Sequence, residues 1–372
     1  MSGQDPWTEP PRPRRPSIIY TSGTTGRPKG VRRLPATPEM EQAFARMVGA
    51  IFDIRPGGRR RTVITGPLYH TAPNTYAIFA ARDGGLVILE PRFDAEELLS
   101  LIERHRITHL HMVPTMFVRL LRLPEDVRRK YDLSSLKFVV HAAAPCPPEI
   151  KRQMIAWWGP VINEYYGATE TGGVVFHTSA EALRKPGTVG RPIEGGVVKV
   201  FGAGGAELGP GEIGEVYIRV RGIADFTYHG MDDERRAVER DGLITCGDVG
   251  YLDADGYLFL CDRIRDLVIS GGVNIYPAEV ESVLITLPGV KDCAIFGVPD
   301  DEFGEALCAC VELQEGAALT ADEVQAFLGR HLASYKIPRL VELRADLPRE
   351  DSGKIFKRKL RAPYWEKAGR QI

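Results

Sequence analysis

The sequence holds 372 residues, 44% apolar and 26% charged, which is enough to bury a large core in two or three domains. Its 48 basic and 49 acidic residues leave a net charge of −1, so general electrostatic attraction to nucleic acid or to an anionic membrane is excluded and any anion site must be local. The six cysteines (Cys146, Cys246, Cys261, Cys293, Cys308, Cys310) lack CxxC spacing and read as buried thiols rather than ligands or bridges, which suits a cytoplasmic protein. No apolar run reaches the length of a membrane span, and the polar, Pro-rich and Arg-rich start does not read as a signal sequence.

Residues 1–16 read as an extended lead-in, with Pro6, Pro10, Pro11, Pro13 and Pro16 set among arginines. Ser17 to Tyr20 read as a short buried strand that enters the run Tyr20 to Gly30, with Val31 resuming extended structure. That run carries Thr21, Ser22, Gly23, Thr24, Thr25, Gly26 and Lys29, a composition that suits an anion: glycines let backbone N–H groups approach phosphate oxygens, and Lys29 adds a mobile charge. A Walker loop is excluded, because Pro28 precedes Lys29 and Gly30 follows it. Taken alone, the run reads equally as a polar hairpin turn.

Thr37-Pro38-Glu39 marks a helix start, and Met40, Phe44, Met47, Val48 and Ile51 repeat at helical spacing toward a core. Strands are predicted at Thr62 to Thr65, Leu86 to Leu89, Thr108 to Val113, Leu136 to His141 and Val161 to Asn163. Helices are predicted at Asp94 to Arg104, with Asp94 and Glu97 as a capping box, and at Pro148 to Trp158. This alternation predicts an α/β fold with a doubly wound, mostly parallel sheet, whose ligands bind beyond the carboxyl ends of the strands. The segments Tyr20 to Gly30, Pro67 to Thr71, His141 to Pro145 and Glu164 to Glu170 all follow strands in that way. Beyond Gly187 short β segments predict a small β subdomain, with a hairpin turn at Asp255-Gly256. Past Arg263 strands at Leu267 to Ile269, Cys293 to Val298, Ala306 to Leu313 and Leu340 to Leu343 join helices at Ala278 to Leu287 and Ala321 to Leu332 in an α+β unit. The predicted units are 17–262 (17–186 α/β, 187–262 β-rich) and 263–372.

Several short motifs stand out, and each has a bland reading beside a chemical one. Tyr166-Gly167-Ala168-Thr169-Glu170 is a turn with a surface acid, or a hydroxyl and a carboxylate for Mg²⁺. Asp248 follows Gly247 in a turn. Lys354 in Asp351-Ser352-Gly353-Lys354 precedes Lys357, Arg358, Lys359 and Arg361, which alone read as a solvated basic tail or a weak nucleic-acid patch. Gly271-Gly272 alone is a turn, and His70, a lone histidine after a strand, is as readily structural as functional.

Together, and in this order, Tyr20 to Val31, Tyr166 to Glu170, Gly247-Asp248, Asp262-Arg263 and Ser352-Gly353-Lys354 resemble the motifs of the adenylate-forming superfamily, which includes acyl-CoA synthetases, aryl-CoA ligases, luciferases and nonribosomal adenylation domains. The resemblance implies ATP, Mg²⁺ and coenzyme A as cofactors and a small-molecule carboxylic acid as substrate, with no nucleic-acid partner. It implies that the loop from Thr21 to Gly26 and Lys29 grip the β- and γ-phosphates, that Thr169 and Glu170 hold the metal, and that Tyr166 and Gly167 flank adenine. It further implies Ala143, Ala144 and Pro145 along the adenine edge, Asp248 and Arg263 on the ribose, and His70 beside the acyl tunnel. Lys354 would bridge carboxylate and α-phosphate; the C-terminal domain would be a lid hinged at Arg265; Gly271 and Gly272 would meet the pantetheine; and the basic residues after Lys354 need only face solvent. Two departures occur: Ala142 stands where the family usually has glycine, and Cys246 where it usually has threonine. The resemblance covers nearly everything after Pro16, whereas full members carry a further domain ahead of the signature loop, so the expectation is either a short member or fragment whose uncovered surface is compensated by self-association as a homo-oligomer, or an open acyl site. Leu68, Ala72, Tyr76, Val174 and Phe176 are candidates for an apolar acyl pocket. The readings are an acid:CoA ligase, an adenylating enzyme with another acceptor, or a nucleotide-binding module with little activity.

Overall fold

Apolar runs become strands and amphipathic runs become the helices that cover them. The computed structural model describes residues 17–21, 29–349 and 355–368. A twelve-stranded sheet runs through the first two thirds of the chain. Its parallel part has the order Leu86–Leu89, Arg61–Ile64, His109–Met112, Phe138–His141, Ile162–Ala168. Helices cover both faces, as the α/β alternation predicts. On one face Pro38–Phe52 and Thr71–Arg82 contribute Met47, Val48, Ile51, Phe52 and Tyr76 to a core. On the other, Ala95–His105, Pro114–Leu121 and Pro148–Trp158 bury Leu98, Leu99, Ile102, Phe117 and Met154, each such side chain contributing roughly 1.5–3 kcal/mol.

Local caps set the helix starts. Thr37 accepts from the Met40 N–H with Pro38 at the first turn, and Asp94 accepts from the Glu97 N–H at 2.9 Å. The capping box expected of Asp94 and Glu97 is only half made: the Asp94 N–H donates at 2.8 Å to Glu90, which takes the reciprocal place. The entering strand, Ile18–Thr21, is not buried; Ile18 and Tyr20 are exposed, because this hairpin joins a separate three-stranded sheet with Lys29–Arg33 and Phe226–Tyr228.

Strands predicted as a separate β-rich unit continue the large sheet. Gly172–His177 turns back antiparallel on Ile162–Ala168, and Thr188–Pro192, Leu258–Arg263, Leu243–Leu252, Gly214–Val220 and Gly196–Phe201 follow in that spatial order. After the short 3-10 turn Ile264–Asp266, a five-stranded sheet forms from Val268–Ser270, Val273–Ile275, Val290–Asp300, Gly304–Leu313 and Leu340–Arg344, with its own cores. Helices Pro277–Leu284 and Ala321–Gly329 pack on it, the latter with a complete capping box at Thr320 and Glu323. All six cysteines are free thiols. Among the described residues no helix is long and apolar enough to cross a membrane.

Candidate active site

Two clusters of side chains share the hairpin made by Ile162–Ala168 and Gly172–His177. The first begins at Lys29, which faces Thr21 across the entering hairpin and is 5% exposed. Pairing of Phe226–Tyr228 with Lys29–Arg33 brings the Tyr228 ring under Lys29, with Nζ 5.0 Å from the ring centroid. The Tyr228 hydroxyl donates to Glu170 Oε1 at 2.9 Å. Burial and then the Glu170 carboxylate push this phenol far above its ordinary range, so it stays a proton donor. Arg33 fixes the same turn from the other side, donating to the Thr169 carbonyl at 2.9 Å and the Ala224 carbonyl at 3.2 Å. Thr169 Oγ1 lies 2.9 Å from Thr71 Oγ1, which ties the turn to the segment holding His70. His70 itself caps helix Thr71–Arg82 by position and packs on Tyr69, the rings 4.6 Å apart.

The second cluster is Tyr166, Asp248 and Arg263. Asp248 and Arg263 are direct cross-strand partners, and Arg263 Nε lies 3.3 Å from Asp248 Oδ1. The Tyr166 hydroxyl donates to the other carboxylate oxygen at 2.6 Å. Burial pushes the Tyr166 phenol up and Asp248 adds to it; for Arg263 burial works against the charge, but Asp248 and Asp266 outweigh it and raise the pKa. Cys246 precedes Asp248 by two residues on strand Leu243–Leu252, and burial, then Glu170 and Asp248, push its thiol well above the ordinary value, so it stays neutral. Lys29, Thr169, Glu170, Tyr166, Asp248 and Arg263 are thus gathered at one place.

Other sequence-predicted positions are placed differently. Gly167 is needed by the hairpin itself: a Cβ there would fall 1.9 Å from the Gly172 carbonyl oxygen. In the segment after Phe138–His141 the residue in the left-handed region is Ala143, with φ at 75°, while Ala142, the position noted as a departure, is buried. Ala144 and Pro145 are exposed beside it. Gly271 and Gly272, both at positive φ, form the two-residue turn between Val268–Ser270 and Val273–Ile275; the Gly271 N–H donates to the Phe303 carbonyl at 2.8 Å, so their contacts lie in the C-terminal sheet. Arg265 sits in the 3-10 turn and its carbonyl accepts from Arg361 at 3.3 Å. Ser22, Gly23, Thr24, Thr25, Gly26 and Lys354 lie outside the described residues. An antiparallel bridge between Arg349 and Ile355 joins the ends of the segment that carries Lys354.

Two expectations need correction. Tyr76 and Val174, offered as pocket residues, are packed in the core instead, and the Tyr76 hydroxyl is engaged with Thr62 Oγ1 at 2.8 Å. Lys357 and Arg361 are not merely solvent-facing, since Lys357 pairs with Glu281 at 2.7 Å and Arg361 reaches the Arg265 carbonyl. Of the remaining acyl candidates Leu68 is exposed, Ala72 packs against the core, and Phe176 lines a cavity of about 390 Å³ with Arg191, Ile193 and Asp255, toward the other end of the hairpin from Glu170. Sequence reasoning missed Tyr228 and Arg33. Each acts through a partner distant in the chain, and neither carries a local signal.

Hard oxygen donors suit Mg²⁺. Among the described residues no group of three or more His, Cys, Asp and Glu side chains is arranged to hold a metal ion. A single carboxylate at Glu170 with the Thr169 hydroxyl beside it fits an ion that keeps waters and takes its other ligands from phosphate oxygens.

A doubly wound sheet with a lysine, a carboxylate, a tyrosine and an Asp–Arg pair gathered beyond its strand ends defines a nucleotide-using α/β enzyme. A family profile described as AMP-binding enzyme matches residues 3–226, and one described as AMP-binding enzyme C-terminal domain matches residues 279–354. The chain belongs to this family, the adenylate-forming, AMP-forming ligases. It is similar to a feruloyl-CoA synthase from Amycolatopsis sp, 36% identical over 349 residues, covering 93% of this chain and 69% of that protein. It is also similar to a long-chain-fatty-acid–CoA ligase of Bacillus subtilis, 35% identical over 352 residues, covering 92% of this chain and 60% of the relative. Among solved structures the amide bond synthetase McbA from Marinactinospora thermotolerans superposes with a TM-score of 0.81 at 31% identity, covering 93% of this chain and 69% of that one. The chain therefore spans between 60% and 69% of the length of these three proteins.

Proposed function

We propose that the chain activates a carboxylic acid with ATP and passes the acyl group to coenzyme A. A carboxylate is a poor electrophile, so its oxygen first attacks the α-phosphorus; the bond to the pyrophosphate oxygen breaks, giving an acyl-adenylate and pyrophosphate. A thiol then attacks the acyl carbon, AMP leaves, and the thiol proton goes to solvent. The observation that supports this most is the gathering of Lys29, Glu170, Asp248 and Arg263 about one locus.

In this reading the Asp248 carboxylate accepts the ribose hydroxyls, sharing its oxygens with Tyr166 and Arg263. Tyr166 lies against adenine while its hydroxyl is held by Asp248. Lys29 and the residues from Thr21 to Gly26 take the terminal phosphates, and Lys354 the reacting carboxylate. Mg²⁺, when bound at Glu170 and Thr169, would neutralise charge on the phosphates. Tyr228 keeps the Glu170 carboxylate oriented and lies under Lys29, so both charges that meet the phosphates are aimed by one ring. The C-terminal unit, 263–372, serves as a lid turning at Arg265, which would let the two half-reactions use different groups at one centre.

The likeness to an amide bond synthetase favours a second reading, in which an amine replaces the thiol. The deciding experiment is pyrophosphate release over a panel of aliphatic, aromatic and polycyclic acids, followed by addition of coenzyme A or an amine, with Lys354→Ala as control. Acid-dependent pyrophosphate and thiol-dependent acyl-CoA are expected. Acyl-AMP that persists in the presence of coenzyme A would move the assignment to another acceptor, and a Lys354→Ala variant that adenylates at the parent rate would remove the role given to that residue.

A further inference from the structure

A row of buried ionisable groups lies directly beneath the segment that follows Phe138–His141, and none of the chemistry above uses it. His141 and Glu164 are cross-strand partners in the parallel pair, and Glu164 and His177 in the antiparallel pair, so the three sit side by side across three neighbouring strands. Lys151 reaches down on them from helix Pro148–Trp158. Glu164 Oε2 accepts from Lys151 Nζ and lies 2.9 Å from His177 Nε2 and 3.8 Å from His141 Nε2. All four residues are at most 4% exposed. His177 is held from both sides of its ring: Nδ1 is 3.1 Å from the Thr178 carbonyl, and Nε2 lies 2.9 Å from Glu164 Oε2 and 3.1 Å from Lys151 Nζ. Neither ring nitrogen of His141 has a hydrogen-bond partner among the described residues.

Burying such a group is not an efficient way to stabilise a fold, since well-packed apolar residues of similar volume do as well or better. What the row does is geometric. The turn 142–147 leaves the sheet at His141 and re-enters as the helix that carries Lys151, so both of its ends face the single carboxylate of Glu164. The strand that holds Glu164 goes on to Tyr166 and ends at the turn with Glu170. We propose that Glu164 is a positioning residue for the nucleotide site: through its ion pair with Lys151, braced by His177, and through strand pairing beside His141, it fixes the turn 142–147 against the strand of Tyr166, and so sets the width of the slot between them that takes the adenine base. This rests on the nucleotide reading given above, but not on the identity of the acid or of the acceptor.

The test is AMP binding to the full chain by calorimetry, which needs neither acid nor thiol, alongside the melting temperature. Glu164→Gln leaves Lys151 buried without its counter-charge and is expected to lose both melting temperature and AMP affinity. The double variant Glu164→Gln with Lys151→Met removes the unpaired charge and is expected to regain melting temperature, yet to bind AMP about 10-fold or more weakly than the parent, the range set by misplacing one face of a binding slot. Pyrophosphate affinity should stay within about 2-fold of the parent, because the phosphate end is held by other residues. Leu98→Ala, a destabilising change away from the row, should bind AMP as the parent does. A double variant that regains both stability and AMP affinity would overturn the assignment, as would an equal loss of AMP affinity in Leu98→Ala. If the double variant does not fold, Glu164→Gln assayed below its own melting temperature carries the same comparison with Leu98→Ala. A parent chain that binds no AMP overturns the nucleotide reading itself, and a parent that binds AMP as tightly as the double variant overturns this inference alone.

Discussion

Replacing Asp248 by alanine tests the ribose assignment most sharply. In the structure both oxygens of this carboxylate are already engaged, one by the Tyr166 hydroxyl at 2.6 Å and one by Arg263 Nε at 3.3 Å. A ribose diol that donated to both oxygens would gain two hydrogen bonds to a charged acceptor, each contributing ~1.5–3 kcal/mol. Because the diol must share those oxygens with groups that hold them in the free protein, the lower end of that range applies. The net loss on truncation is then about 3 kcal/mol, or ~100-fold in ATP affinity. Arg263 is partly exposed and water can solvate its lost partner, so the fold should survive. The assay is acid-dependent pyrophosphate exchange with ATP and with 2′-deoxyATP. The parent should prefer ATP by roughly 10-fold or more, the discrimination of one charge-assisted hydrogen bond, and the variant should use both poorly and nearly equally. A variant that keeps the parent's preference for ATP over 2′-deoxyATP would show that the ribose hydroxyls are read elsewhere, whatever happened to its overall rate.

Tyr228→Phe keeps the ring under Lys29 but deletes the hydroxyl on Glu170, about 1 kcal/mol of orientation, so the Mg²⁺ concentration for half-maximal exchange should rise ~5-fold with the KM for acid unchanged. Competition of Mn²⁺–ATP by spectroscopy gives the same shift without turnover, and titrations that superimpose on the parent's would dismiss the role. Glu90 is held up to about 7, first by burial and then by Asp94 and Glu97. A carboxyl with a raised folded pKa adds stability below its unfolded value and loses it as pH rises through the folded one, so Glu90→Gln should leave the melting temperature little changed at pH 5 and raise it at pH 8. Discounted for the solvent that reaches it, that gain is about 1 kcal/mol, or ~2–4 °C; equal shifts at both pH values would contradict it. Asp83 accepts from the Gly58 and Arg60 N–H groups at 2.8 and 2.9 Å, and although burial opposes it these donors hold its pKa down. Asp83→Ala should cost about 2–4 kcal/mol in urea unfolding, and the parent should lose this contribution as pH falls below the carboxylate range; an unchanged midpoint would refute it.

Parts of this fold are legible because they are local. Thr37-Pro38, Asp94 and Thr320 announce their helices through caps that reach only three residues, and the run Leu86–Leu89 becomes the strand its composition predicts. Helix Thr71–Arg82 hides: its cap position is His70, whose side chain makes no cap hydrogen bond to the helix, and Pro73, Asn74 and Thr75 are weak helix formers, so packing of Tyr76 on Phe52 and Thr62 decides it. Strand register hides as well. Glu164 reads as one more polar residue before Tyr166 until pairing puts His141 and His177 on either side of it. The same holds for the basic run after Lys354, which reads as a solvated face although Lys357 and Arg361 find Glu281 and the Arg265 carbonyl. Motif residues could be read as a set, but the residues that aim them could not, because aiming is done by side chains brought together only by tertiary pairing.

The location of the site follows from how the sheet changes direction. Strand Ile162–Ala168 pairs in parallel with Phe138–His141 on one edge and antiparallel with Gly172–His177 on the other, so it is the seam between the two halves of the sheet. Parallel strands deliver their carboxyl ends, and with them the segments of His70, Ala143 to Pro145 and Tyr166 to Glu170, to one edge. The antiparallel half contributes to that edge Asp248 on one strand and Arg263 at the end of the next, matched in register, while the small sheet adds Lys29 and Tyr228. A purely parallel sheet would offer loops of one kind; the seam lets a rigid, doubly bonded strand face donors from both halves. The same seam holds Glu164 in a buried row across three strands, so the groups proposed to meet the nucleotide stand on the part of the sheet least able to slip: a one-residue slip of Ile162–Ala168 against either neighbour would turn Glu164 to the opposite face of the sheet, away from Lys151, and carry Tyr166 away from Asp248.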